Sequence, residues 1–146
     1  MATTALALPS LVPEDDAYWR ARPSLAAPRA APGAGRGLFA LADIAAGTLI
    51  DIAFSVPVTP AQCRVLDDIH PIGDFPFEHP QDKAAALMLF GLISLCNHAE
   101  APNARLVWRD GGAIGWLAEL VACADIPAGA EVTYRYKCPL WFPARD

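Results

Sequence analysis

The chain has 146 residues, a hydrophobic content of 54% and a formal net charge of -5. That length fits one domain able to bury its own core, and the acid balance gives no support to a basic nucleic-acid-binding surface, pointing instead to a basic peptide as partner. The longest apolar stretch, Ala84 to Cys96, falls short of the roughly 20 residues a membrane-spanning helix takes, so no membrane partner is expected.

Residues 1–19 read as a flexible tail and residues 20–146 as a single folded domain. Met1 to Leu8 is apolar but lacks a basic flank, and Glu14-Asp15-Asp16 soon follows. No secretion signal is read there, and a cytoplasmic location is expected. Arginine in excess of lysine, with abundant Ala and Pro, points to a GC-rich bacterial genome. The Pro/Ala-rich stretch Arg22 to Pro32 is expected to be extended with limited regular pairing. Gly33-Ala34-Gly35-Arg36-Gly37 then forms a glycine-rich loop leading into an apolar run.

A quasi-repeat follows: Leu41-Ala42-Asp43-Ile44-Ala45-Ala46-Gly47 matches Cys123-Ala124-Asp125-Ile126-Pro127-Ala128-Gly129. In each copy a short strand enters, Asp begins a turn, Gly supplies the permissive backbone and another strand leaves. Leu49 to Val58 and Ala104 to Arg109 read as strands, and Asp110-Gly111-Gly112 is a hairpin signal before Ala113 to Ala124. Thr59 to Pro80 reads as loop with a short helical turn near Ala61 to Asp68, and Gln81 to Leu95 as the main helix. Cys63, Cys96, Cys123 and Cys138 lie far apart with no C-x-x-C pair, so neither a zinc site nor a disulfide framework is expected. The pattern is a mostly β fold of small curled sheets with a small α insert.

Two polar segments flank the C-terminal part of that pattern: Asn97-His98-Ala99-Glu100-Ala101-Pro102-Asn103, and Glu131-Val132-Thr133-Tyr134-Arg135-Tyr136. Singly, each fits an Asx-rich turn or a strand with half-buried tyrosines. Together with Gly35-Arg36-Gly37 they resemble the SET-domain protein-lysine methyltransferases, which carry a GxG loop, then an N-H-S-C-x-P-N segment and an E-[LV]-T-x-x-Y strand. The resemblance runs from about Arg20 to about Phe142. It implies a SET-type β-clip with a C-terminal pseudoknot that brings the last two segments together.

It also implies methyl transfer from S-adenosyl-L-methionine to a lysine amine of a protein or basic peptide. By motif position, Tyr136 matches the catalytic tyrosine and contributes to the cofactor site; a phenol of ordinary pKa about 10 orients rather than deprotonates. Tyr134 matches the Phe/Tyr position at the end of the lysine channel and is the substrate-binding candidate. Gly35, Arg36, Gly37, Asn97 and His98 match the cofactor-binding positions, with no metal implied. Trp141 falls either against the adenine or in the core.

Departures accompany the match. Ala99 and Glu100 replace Ser and Cys, the strand around Ile52 to Phe54 lacks a channel-wall tyrosine, and the cysteine cluster that often follows the last motif is missing. Short viral and bacterial members of this compact kind include some that dimerise to complete the substrate groove, so a homodimer is a further implied arrangement. The alternative reading is a noncatalytic β-clip module, either a SET-like peptide binder or an antifreeze-like domain; methylation of a nonprotein amine is a third.

Overall fold

The computed structural model describes residues 24–137, so the expectations placed on residues 1–19 and on Trp141 lie outside the described residues. Leu49–Val58 (β3), rich in Ile, Val and Phe, is the middle of a five-stranded antiparallel sheet in the order β4-β5-β3-β8-β7. Its neighbours are Phe77–Glu78 (β4), Ala86–Phe90 (β5), Ala104–Asp110 (β7) and Trp116–Ala122 (β8). A second sheet, ordered β1-β2-β9-β6, joins Ala26–Ala31 (β1), Gly35–Ala40 (β2), Glu131–Tyr134 (β9) and Asn97–His98 (β6).

The helix Pro60–Leu66 (α1) starts on a complete capping box. Thr59 Oγ1 accepts from Gln62 N and Gln62 Oε1 accepts from Thr59 N, while Pro60 opens the first turn, where its missing N–H costs nothing. No residue of this helix is buried. It falls where the sequence predicts a short helical turn near Ala61 to Asp68, as an insert on the surface of a mostly β fold.

Two expectations are corrected. Within the stretch Arg22 to Pro32, the described residues pair more regularly than its composition suggests, since β1 runs antiparallel to β2 from Ala26↔Ala40 to Ala31↔Gly35. At a sheet edge the outer side of the strand owes no ladder bonds, so Pro28 is tolerated. The expected main helix over Gln81 to Leu95 is also absent: the segment holds β5 and a short 3₁₀ turn, Leu92–Leu95. Leu87 and Leu89 point into the core while Met88 and Phe90 face outward, a period of two. A continuous apolar run hides its period, and here the ladders to β3 and β4 decide it.

The quasi-repeat is an interlocked pair of turns. Ile44 and Ile126 exchange both main-chain hydrogen bonds at 2.8 Å. Asp125 Oδ1 accepts from Ala46 N at 2.9 Å, and Asp43 Oδ1 accepts from Ala128 N at 2.8 Å, so each turn is capped by the other's aspartate. Gly47 N and Gly129 N likewise donate to Ala122 O and Ala40 O. Ile126, Leu38, Leu120 and Val132 beneath them are fully buried, uniting both sheets in one core. Asp43→Ala and Asp125→Ala should each lower the unfolding free energy by about 1 kcal/mol, the usual worth of one such bond. Urea titration checks this, with Asp110→Ala, whose carboxylate caps only its own loop, expected to cost less than either.

Candidate functional site

β9 carries the site because it is held on both sides. Its start pairs antiparallel with β2 (Leu38↔Val132, Phe39↔Glu131), and its end pairs parallel with β6 (Asn97↔Thr133, His98↔Tyr134). The side chain of Asn103 holds the opposite edge of the strand: its Nδ2 donates to Glu131 O at 2.8 Å and its Oδ1 accepts from Thr133 N at 2.9 Å. One amide thus does what a neighbouring strand would do. Asn97-His98 and Tyr134-Arg135-Tyr136 are thereby brought side by side.

The glycine-rich segment reaches the same place through β2. Asn97 Nδ2 donates to Arg36 O at 2.8 Å and to Glu131 Oε1 at 2.7 Å. Gly37 lies directly under this junction, and a Cβ there would collide with the Glu131 carboxylate and come within 2.8 Å of Asn97 Nδ2. Gly35 is required for a different reason. Its φ is +75°, and a Cβ would meet nothing within 4 Å, so the backbone there borders open space. With both amide protons of Asn97 committed, Oδ1 and the main chain are the groups by which this residue can meet a ligand.

His98 is buried, and both ring nitrogens are engaged. Nδ1 accepts the main-chain N–H of Tyr136 at 3.0 Å, which assigns the ring proton to Nε2, 3.2 Å from Glu100 Oε1. Glu100 Oε2 accepts in turn from Arg135 Nη2. The Arg135 guanidinium, with His98 second, holds the Glu100 carboxyl below its usual range. The imidazole is thus spent on structure, in keeping with a residue that meets a ligand through its main chain.

Tyr136 OH donates to Cys96 O at 3.0 Å. Its ring lies 5.3 Å from that of His98 and 4.9 Å from that of Tyr134. Tyr134 stacks on Phe77 at 5.8 Å, and Phe77 meets Trp108 edge-on at 6.3 Å. Phe77 and Trp108 are members of this constellation that motif matching does not single out, and β4 and Trp108 carry no sequence signal that would place them here. Glu131 and Glu100 stand inside the quoted motifs, Glu100 as a departure, without a site role assigned to either.

Asn97, His98, Tyr134, Tyr136, Phe77 and Trp108 line one cleft of about 1290 Å³, which begins at Gly33 and Gly35. A typical small-molecule site occupies about 300–1,000 Å³, so this one has room for a ligand of that size and part of a second. Backbone exposed at Gly35, a polar floor at Asn97 and aromatic walls suit a nucleoside-bearing amino acid, and the residues present therefore fit the cofactor that the motifs imply. The tyrosine pair and the glycine segment face the same space.

The family model of the SET domain matches residues 35–137, and the chain belongs to that family. Comparison with curated proteins returns no match. Among solved structures of similar fold is a Plasmodium falciparum protein proposed to be a histone methyltransferase, at TM-score 0.64 and 20% identity over 83% of this chain and 100% of that one. A humanized mutant of the Chaetomium thermophilum polycomb repressive complex 2 bound to the inhibitor GSK343 aligns at TM-score 0.67 and 21% identity, over 85% of this chain and 16% of that one. A polycomb repressive complex 2 in an autoinhibited conformation bound to S-adenosylmethionine aligns at 0.67 and 18%, over 85% and 16%. The chain therefore spans about a sixth of these polycomb chains, and at such identities the likeness is one of fold.

Cys96 lies at the centre of the site's support. Its thiol donates to Val132 O at 3.1 Å, and burial pushes its pKa far up from the ordinary thiol value. Only the thiolate reacts readily. Under native conditions Cys96 should resist Ellman's reagent while exposed Cys123 reacts; mass mapping of labelled peptides before and after denaturation checks the order.

Proposed function

We propose that this protein is an S-adenosyl-L-methionine-dependent methyltransferase acting on a lysine amine of a polypeptide. The observation that carries the reading is the convergence of Gly35, Arg36, Asn97, His98, Tyr134 and Tyr136 on one cleft, in a chain of the SET family. When bound, the cofactor supplies an electrophilic methyl carbon on a sulfonium.

The chain's residues must present a neutral amine to that carbon. A lysine of pKa about 10.4 costs roughly 4–5 kcal/mol to neutralise at pH 7, at about 1.36 kcal/mol per unit. Phe77, Trp108 and Tyr134 form an apolar wall that disfavours the ammonium and excludes water. Tyr136, anchored as a donor to Cys96 O, keeps lone pairs on its hydroxyl oxygen that can accept an amine hydrogen and aim the nitrogen. Transfer to the amine held by Tyr136 would form a C–N bond at the expense of the cofactor's C–S bond, and the methylated ammonium would lose its proton to solvent. Tyr134, beside Tyr136, is assigned to the end of the lysine channel, where it limits the room for added methyl groups.

Charge favours a basic polypeptide. Between Thr59 and Asp82 one arginine stands against five carboxylates, Asp67, Asp68, Asp74, Glu78 and Asp82. That segment holds most of the chain's excess of acid, and its Asp74 and Glu78 line the cleft. Cationic residues flanking the target lysine would meet it.

Calorimetry should detect S-adenosyl-L-methionine and its demethylated product binding below millimolar concentration. No binding of either to folded protein would overturn the reading, and binding without methylation of any histone or basic peptide would favour the noncatalytic module. Tyr136→Phe should retain cofactor affinity but lower turnover at least about tenfold, equivalent to about 1.4 kcal/mol. Unchanged turnover, measured by mass spectrometry of the methylated product, would misplace Tyr136.

A further inference from the structure

Glu100 stands where the family motif has cysteine, and the proposed chemistry has no direct use for a carboxylate. The structure nonetheless gives it a defined place, at one end of a connected series of contacts. Its Oε1 meets Nε2 of a His98 ring whose side chain is only 3% exposed. The opposite nitrogen of that ring accepts the Tyr136 N–H, and the ring packs edge-on against the Tyr136 ring at 66°. The series ends at the Tyr136 hydroxyl on Cys96 O.

A neutral imidazole can serve Tyr136 N–H as an acceptor at Nδ1 only while its proton sits on Nε2. The group that stabilises that tautomer is whatever accepts the Nε2 proton. Cysteine is a weak acceptor there, whereas a carboxylate is a strong one. Arg135 pairs with the other oxygen of the same carboxylate and favours its charged, acceptor-only form further.

We propose that Glu100 is a positioning residue: by accepting the Nε2 proton it fixes the tautomer and orientation of His98, and through His98 the main chain and ring of Tyr136. Its effect on turnover rests on the methyl-transfer reading above, while its effect on the imidazole does not. A second role, clamping β6 to β9 through the ion pair with Arg135, would be merely structural, and the two are separable by variant. Glu100→Gln keeps a carbonyl oxygen for Nε2–H but loses the charge opposite Arg135; Glu100→Ala loses both.

The test pairs kinetics with nitrogen-15 NMR of the imidazole. Wild type should show His98 as a single tautomer with a slowly exchanging Nε2–H. Glu100→Ala should lose that protection, shift the Tyr136 amide and lower kcat about tenfold with the cofactor Kd within about twofold. Glu100→Gln should recover the imidazole signal and most of kcat. If Glu100 is only a clamp, Gln and Ala behave alike, with Tm, Kd and kcat falling together, and the proposal is overturned. An unchanged His98 signal in Glu100→Ala overturns it as well, whatever the activity. A wild type that methylates nothing, with the imidazole responding as expected, would instead refute the methyl-transfer reading and leave the Glu100–His98–Tyr136 coupling standing.

Discussion

The parallel pairing of β9 with β6 is the constraint on which the site depends. Parallel strands cannot be joined by a tight turn, so Asn97-His98 and Thr133-Tyr134 can meet only after the chain has travelled through β7, β8 and the second aspartate turn. Everything that faces the cleft follows from that meeting. Tyr136 N reaches His98 Nδ1, Tyr136 OH reaches Cys96 O, and Ala99 N closes the border on Tyr134 O. The pair is only two residues long, and the amide of Asn103 holds the other edge of β9 in place of a further strand.

Glu131 joins this border to the glycine segment. Its main-chain carbonyl serves Asn103, its carboxylate serves Asn97, and the close packing of that carboxylate leaves Gly37 no room for a side chain. The polar floor of the cleft is therefore a consequence of strand pairing rather than a set of independent ligand contacts. Substitutions at Gly37, Asn97 or Glu131 should accordingly be read as one coupled unit and not summed.

The parts of the fold legible in the sequence were those with local chemistry. The Asp-Ile-x-Ala-Gly repeat announced its two turns, and β3, with its run of Ile, Phe and Val, was found at its observed bounds. The site segments were legible as motifs because asparagine, histidine and tyrosine at those spacings suit few other purposes together. What failed was what depends on distant partners. Leu87-Met88-Leu89-Phe90 reads as helix or strand until β3 and β4 are placed beside it, and the reciprocity of Asp43 and Asp125 cannot be seen from either turn alone. Phe77 reaches Tyr134 only because a two-residue strand hangs on the edge of the larger sheet. The strand around Ile52 to Phe54 lacks a channel-wall tyrosine, but the sequence holds no sign that Phe77 lines the cleft from another strand.

The interlocked aspartate turns have a consequence for how the chain is made. Each cap joins residues some eighty positions apart, with separations of 79 and 85. On a ribosome the first turn emerges long before its partner exists, and Ala46 N–H and the Asp43 carboxylate must wait in water for the second. Folds dominated by such distant contacts acquire their structure late and slowly. Until β8, β9 and the second turn follow, the nascent protein has only β1 beside β2 and only β4 and β5 on the β3 side of the larger sheet, so part of their apolar surface stays open. That interval, rather than the stability of the finished fold, is where aggregation competes with folding, and where a chaperone that shields extended apolar chain would matter most.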